Sequence, residues 1–340
     1  MNYPFFFRTT HLALMTAACL LMSVSSVAAP AVSGQPADDA AATAAAPRQA
    51  SAPISADGAG FSPPAADAIP ENEFGEVVRK GQDYFLHTSR LLPQYTGNSL
   101  NCVNCHIDAG RRADSAPMWG AYVLYPAYRK KNGHVNTLAE RLQGCFRYSM
   151  NGKAPAADSE AIVALSSYMY WLASNAPTGI KLAGQGYKRL PAPAQKMDLE
   201  RGKAVYAAQC AVCHGANGQG RKTAGVTVFP ALWGEDSFNW GAGMHQLPNA
   251  AAFIKANMPL GKGNILTDQQ AWDVAYFMNS HERPQDPRFT GNVQETRERF
   301  HAEDDNLYGR TINGTVLGAQ SVPSGGRLRE QDQASDVSGK

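Results

Sequence analysis

Residues 74–106, "FGEVVRKGQDYFLHTSRLLPQYTGNSLNCVNCH", and residues 197–214, "MDLERGKAVYAAQCAVCH", are two versions of one pattern. Each opens on a short amphipathic stretch with a glycine near its middle, Gly81 or Gly202, and ends in Cys-x-x-Cys-His. Each half then closes on a second periodic stretch. In 158–175, "DSEAIVALSSYMYWLASN", Ile162, Leu165, Met169 and Leu172 fall on one helical face behind an expected Asp158 cap. In 267–281, "TDQQAWDVAYFMNSH", Thr267 is the expected cap, and Trp272, Ala275 and Met278 share a face. Such a repeat predicts two similar, mainly helical domains of about a hundred residues each.

Cys-x-x-Cys-His is the attachment signal for c-type haem: two thioethers to the vinyl groups, with the adjacent histidine as an axial iron ligand. Cys102, Cys105, Cys210 and Cys213 are therefore the expected attachment residues, and His106 and His214 the expected iron ligands. Zinc would need a fourth ligand at each motif. A thioredoxin-like redox pair belongs in a βαβ pattern that this sequence lacks. The expected fold class is mainly α: two tandem class I c-type cytochrome domains, each with one covalently bound haem c.

The formal charge of the 340 residues is only +2, and no Lys/Arg block marks a nucleic-acid or anionic-membrane partner. Residues 1–28 read as a signal peptide: Arg8, the apolar run "HLALMTAACLLMSV", then "SVAAP" with cleavage after Ala28. A lipoprotein acceptor at Cys19 is the rival, and the apolar run continuing past it argues against that. Serines soon interrupt the run, so the mature protein is expected to have no membrane span and to reside in the periplasm. Residues 29–66 are an Ala/Pro/Ser-rich stretch expected to be a disordered linker. The first haem domain is then 67–178, an interdomain linker 179–196, the second haem domain 197–287, and a C-terminal extension 288–340 with a disordered end.

In the second half, "FIKANMPLGKGNIL" (253–266) offers Met258 as distal ligand, 44 residues after His214, with Met244, His245 and Lys255 as rivals. A thioether ligand raises the haem potential, which suits an electron-exit site. The equivalent place in the first half is "RLQGCFRYSMNGK" (141–153), whose Cys145 lies 39 residues after His106. A thiolate there lowers the potential and is also a nucleophile and a soft ligand for sulfur compounds. Met150, 44 residues after His106, is the alternative.

The two haem motifs, "RLQGCFRYSMNG", "YPAYRKKNG" (125–133) and the "NMP" loop together resemble the dihaem thiosulfate dehydrogenases over residues 70–310. The resemblance implies periplasmic coupling of two thiosulfates into tetrathionate, or the reverse. It also implies a catalytic His/Cys haem and a second haem passing electrons to an external acceptor such as a small c-type cytochrome. The family's Arg-x-x-x-Cys-x-x-x-Ser arrangement is present as Arg141, Cys145 and Ser149. Some members carry a lysine before the methionine and exchange those ligands; Asn257 stands here and favours plain His/Met. For a dianionic substrate, Arg141 is the first cation to consider, followed by Arg129, Lys131 and Arg147. Two other functions remain open on sequence: a dihaem electron carrier of the cytochrome c4 kind, with methionine on both irons, and a partner-dependent sulfur-oxidation cytochrome subunit.

Overall fold

The computed structural model describes residues 61–328. The expected signal peptide, Cys19, most of the N-terminal linker and the extreme C-terminus lie outside the described residues.

Each half is framed by two packed helices. In the first, α1 (Glu73–Leu86) carries an Asn72 cap whose side chain accepts from the Gly75 amide. It lies across α3 (Glu160–Leu172), with α2 (Leu138–Gly144) between them in sequence. In the second, α4 (Leu199–Gln209) crosses α6 (Asp268–Asn279), preceded by α5 (Leu247–Asn257). The repeated glycines sit at these crossings. A Cβ on Gly81 would lie 2.0 Å from the Ala164 carbonyl oxygen, and one on Gly202 would lie 2.1 Å from that of Asp273. Glycine inside a helix costs about 0.5–1 kcal/mol relative to alanine. Each large apolar side chain buried by the close approach contributes about 1.5–3 kcal/mol, so packing wins.

Ile162, Leu165, Met169 and Leu172 are all buried, as are Trp272, Ala275 and Met278. Thr267 caps α6 in a reciprocal arrangement with Gln270. The cap of α3 is Ser159 instead of the expected Asp158, and its hydroxyl turns back to the Ala156 carbonyl. Short antiparallel hairpins decorate both halves: β1 (Ala127–Arg129) with β2 (His134–Asn136), and β3 (Arg221–Thr223) with β4 (Val226–Phe229).

Two segments read from composition as linkers pack onto the domains, and so does the C-terminal extension, whose early aromatic and apolar residues are the part expected to do so. At the end of the expected N-terminal linker, part-buried Phe61 packs on the first core, its ring tilted against Trp119 with centroids 5.3 Å apart. In the interdomain segment, the amides of Asp114 and Ala116 donate to the carbonyls of Gly184 and Gly186 at 2.8 and 2.7 Å. Farther on, Trp272 Nε1 donates to the Pro191 carbonyl at 2.9 Å. In the C-terminal extension, α7 (Val293–Phe300) leads to Leu307, Tyr308 and Leu317 in the second core. The polar stretch beyond residue 320 is held by backbone and side-chain bonds together, Ser321 and Arg327 among them. The Gly325 amide donates to Asn151 Oδ1 at 3.2 Å and the Arg327 amide to the Gly97 carbonyl at 3.1 Å, returning the chain to the first half.

Candidate active site

Each half encloses a pocket beside its Cys-x-x-Cys-His. The first has about 1180 Å³ of empty space, open mouth included, and the second about 1420 Å³. Both are lined mainly by apolar side chains, with both cysteines and the histidine of their own motif on the wall. His106 Nδ1 donates to the Ala116 carbonyl at 2.8 Å, and His214 Nδ1 to that of Pro230 at 2.9 Å. Burial pushes His106 down to about 4 and lowers His214, so both rings are neutral. With Nδ1 holding the proton, Nε2 is left with the lone pair an iron requires, and the carbonyl fixes ring orientation. The five cysteines of the described residues form no disulfide. Thiol pairs, neutral imidazoles and large apolar cavities fit a covalent haem in each half.

The distal wall of the first pocket is built by α2 and the turn after it. Thr137 and Glu140 cap the start of α2 reciprocally. At its end the backbone widens into a π-turn, Cys145–Ser149, with the Met150 amide donating to the Cys145 carbonyl at 2.9 Å. Such turns insert one residue and recur at functional sites. Here the widened turn brings Cys145, Ser149 and Met150 all onto the pocket wall.

Arg141, one helical turn earlier, donates Nη1 to Cys145 Sγ at 3.0 Å. The sulfur beside it holds the guanidinium above its ordinary range, outweighing burial. Of the other expected cations, Arg129 lines the same pocket. Arg147 is exposed and outside it. Lys131 turns elsewhere: its ammonium lies 3.4 Å from the centre of the Tyr148 ring and donates to the Gly241 carbonyl. Tyr125 and Gln185 also line the pocket, and pattern reading missed both as site residues. Gln185 sits in the expected linker and reaches the site because its amide donates to the Gly120 carbonyl at 2.5 Å.

In the second pocket, Met258 lies on the wall directly after α5, and Met244 shares it. Two rivals point away. His245 engages both ring nitrogens, donating from Nδ1 to the Ala242 carbonyl and accepting at Nε2 from Asn306 at 2.9 Å. Lys255 binds the Leu266 carbonyl and pairs with Asp268 at 3.6 Å. Asn257 is buried and donates to the Phe253 carbonyl at 3.1 Å, off the pocket wall.

The two pockets differ in charge. Arg129 and Arg141 stand on the wall of the first, whereas no Lys, Arg, Asp or Glu lines the second. They also share a wall, since Leu100 and Cys105 border both.

Among known proteins, residues 94–178 match the family described as SoxA/TsdA, cytochrome c domain, and residues 199–282 match Cytochrome c. A thiosulfate dehydrogenase of Stutzerimonas stutzeri (strain A1501) is 56% identical over 260 residues, covering 76% of this chain and 85% of the relative. One from Thiomonas intermedia (strain K12) is 56% identical over 266 residues, covering 78% and 85%. The solved thiosulfate dehydrogenase (TsdBA) of Marichromatium purpuratum, in its as-isolated form, superposes with a TM-score of 0.74 at 52% identity. That match covers 77% of this chain and 58% of the solved one, so the present chain spans little over half of that structure.

Proposed function

The chain belongs to the thiosulfate dehydrogenase family, and from that premise we propose that it oxidatively couples two thiosulfates to tetrathionate, with Cys145 as the reactive sulfur. The observation that carries this reading is the Arg141–Cys145 contact in a pocket with a second arginine, set against an uncharged second pocket. A dianion is drawn to the first pocket and has no charged partner in the second. Cys102, Cys105, Cys210 and Cys213 would hold two haem c groups, with His106 and Cys145 on one iron and His214 and Met258 on the other. When bound, the haems supply two one-electron acceptors, with a thiolate ligand lowering one potential and a thioether raising the other.

The chain's own residues account for the rest. Arg141 donates to Cys145 Sγ and orients it, and with Arg129 it binds sulfonate oxygens, while Ser149 donates a hydrogen bond to the substrate. The Cys145 thiolate and the sulfane sulfur of one thiosulfate form an S–S bond as two electrons leave, giving Cys–S–S–SO₃⁻. The sulfane sulfur of a second thiosulfate attacks the outer sulfur of that adduct. The new S–S bond makes tetrathionate, and the bond to Cys145 breaks to return the thiolate. Electrons pass from the first pocket to the second across the Leu100–Cys105 wall, then to an external acceptor such as a small c-type cytochrome. The reading includes export, with cleavage after Ala28 and a periplasmic location, and rests there on the signal-like pattern of residues 1–28.

The test is the purified mature dihaem protein with thiosulfate and ferricyanide, tetrathionate being quantified. One tetrathionate per two electrons, without any partner, is the expected result. No turnover in either direction would leave an electron carrier or a partner-dependent sulfur cytochrome.

A further inference from the structure

We infer, resting on the reading of Cys145 as the reactive sulfur, that the second domain shapes the first domain's catalytic turn: Asn239 is a positioning residue that holds Cys145–Ser149 in its widened form. A widened turn leaves carbonyls at its C-terminal end without helical partners. Those of Ser149 and Met150 are met from their own domain, by Asn98 Nδ2 and the Gly97 amide, both at 2.9 Å. Those of Arg147 and Tyr148 are met by the other domain. Asn239 Nδ2 donates to the Arg147 carbonyl at 2.8 Å, and the Asn239 amide donates to that of Tyr148 at 3.2 Å. The same Nδ2 donates to Asn151 Oδ1 at 3.1 Å, while Asn239 Oδ1 accepts from the Gly241 amide at 3.0 Å.

Asn239 is fully buried, so its donors have no water to turn to. The Tyr148 carbonyl also accepts from the Asn151 amide at 3.3 Å, so the Arg147 carbonyl is the one that depends most on Asn239. Gly241 closes the grip. A Cβ there would lie 2.3 Å from a Tyr148 ring carbon, so only glycine lets the second domain come this close. Lys131 locks it from the other side, its ammonium over the Tyr148 ring and bonded to the Gly241 carbonyl. The lysine expected to meet substrate thus serves the clasp instead.

The clasp bears on which sulfur is presented. Cys145 opens the widened turn and Met150 comes directly after its end. Removing the extra residue's worth of backbone would rotate Met150 relative to Cys145 by about 100° around the helix axis. Asn239 therefore holds the register in which Cys145 stands on the pocket wall, without touching substrate.

The test uses the full dihaem protein and reads the thiolate signature of its ferric EPR spectrum together with kcat and KM. Asn239→Ala is expected to lose most of the thiolate signature and to lower kcat about tenfold or more, with KM little changed and the second haem's spectrum intact. Asp236→Ala removes a different interdomain contact, in which the Ser99 amide donates to Asp236 Oδ1 at 2.7 Å, and is expected to leave both readouts alone. An unchanged signature and kcat in Asn239→Ala overturns the clasp while leaving Cys145 in its role. A wild type with no thiolate signature overturns Cys145 and the clasp with it. Should Asn239→Ala fail to take up haem, Lys131→Met reads the same turn from its outer side: a partial loss of signature supports the clasp, and none overturns it.

Discussion

The two halves of this molecule share a scaffold and differ where chemistry happens. Both cross two helices at a glycine, both aim a neutral histidine into an apolar pocket, and both line the facing wall with sulfur. The first pocket adds an arginine-paired cysteine and a second arginine, and the second adds no charge. In the proposed function, a single sulfur and its cations separate the reactive pocket from the relay.

Replacing Cys145 is the largest way to break this contrast. Cys145→Gly is expected to lower turnover by about 10³-fold or more, the scale on which loss of a nucleophile is felt. Both haems should stay attached, as absorption of the denatured protein would verify. Cys145→Met makes the halves chemically alike and should give a carrier with two methionine-ligated haems; thiosulfate oxidation by that variant would sink the proposed role.

The next effect separates the halves by stability. The second is tied to its C-terminal extension by buried Asp286, bonded to part-exposed Arg288 at 2.6 Å and to buried His301 at 2.9 Å. Burial pushes the Asp286 carboxyl up, but the bonds from His301 and Arg288 win and hold it well below the usual carboxylate range. The unfolded chain therefore binds that proton more readily. The stabilisation is complete above about pH 5 and is lost as pH falls below about 4. Asp286→Asn should cost about 3–5 kcal/mol at neutral pH and flatten this acid dependence, measured by thermal melts across pH. A mutant whose melts track the wild type at both pH values would contradict it.

Arg141→Gln comes third. Losing a hydrogen bond to a charged group costs about 1.5–3 kcal/mol, or roughly 10–100-fold in kcat/KM. Thiosulfate saturation curves would measure it, and a change confined to the second haem would count against the assignment. The smallest effect sharpens the comparison. Met150→Leu preserves volume and should cost less than about 1.5 kcal/mol, leaving the thiolate signature in place. A wild type without the thiolate signature whose low-spin spectrum changes in Met150→Leu would make Met150 the ligand instead.

Much of this was legible in the sequence because haem attachment is local: five consecutive residues carry the chemistry, and the repeat narrows the opposing sulfur to Cys145 or Met150 in the first half and to Met258 or its rivals in the second. Gly81 and Gly202 were visible as positions, though the close helix crossing they permit appears only when the partner helix is placed. Legibility stopped where function depends on the other half. The widened turn at Cys145 comes after a helix with ordinary caps, and the residue that meets its carbonyls lies about ninety positions away. Lys131 looked like a substrate cation because charge is readable and direction is not. Gln185 looked like linker because a polar, glycine-rich stretch gives no periodic sign of the surface it will cover.

The returning C-terminal strand has a consequence for how the molecule comes apart. The chain passes from the first half to the second through residues 179–196 and comes back at Gly325 and Arg327. The halves thus sit in a closed circuit, and a protease cut in either crossing leaves the other in place. Amide protons lining both pockets should then exchange with solvent together in one global opening, instead of the relay fraying away from the reactive site.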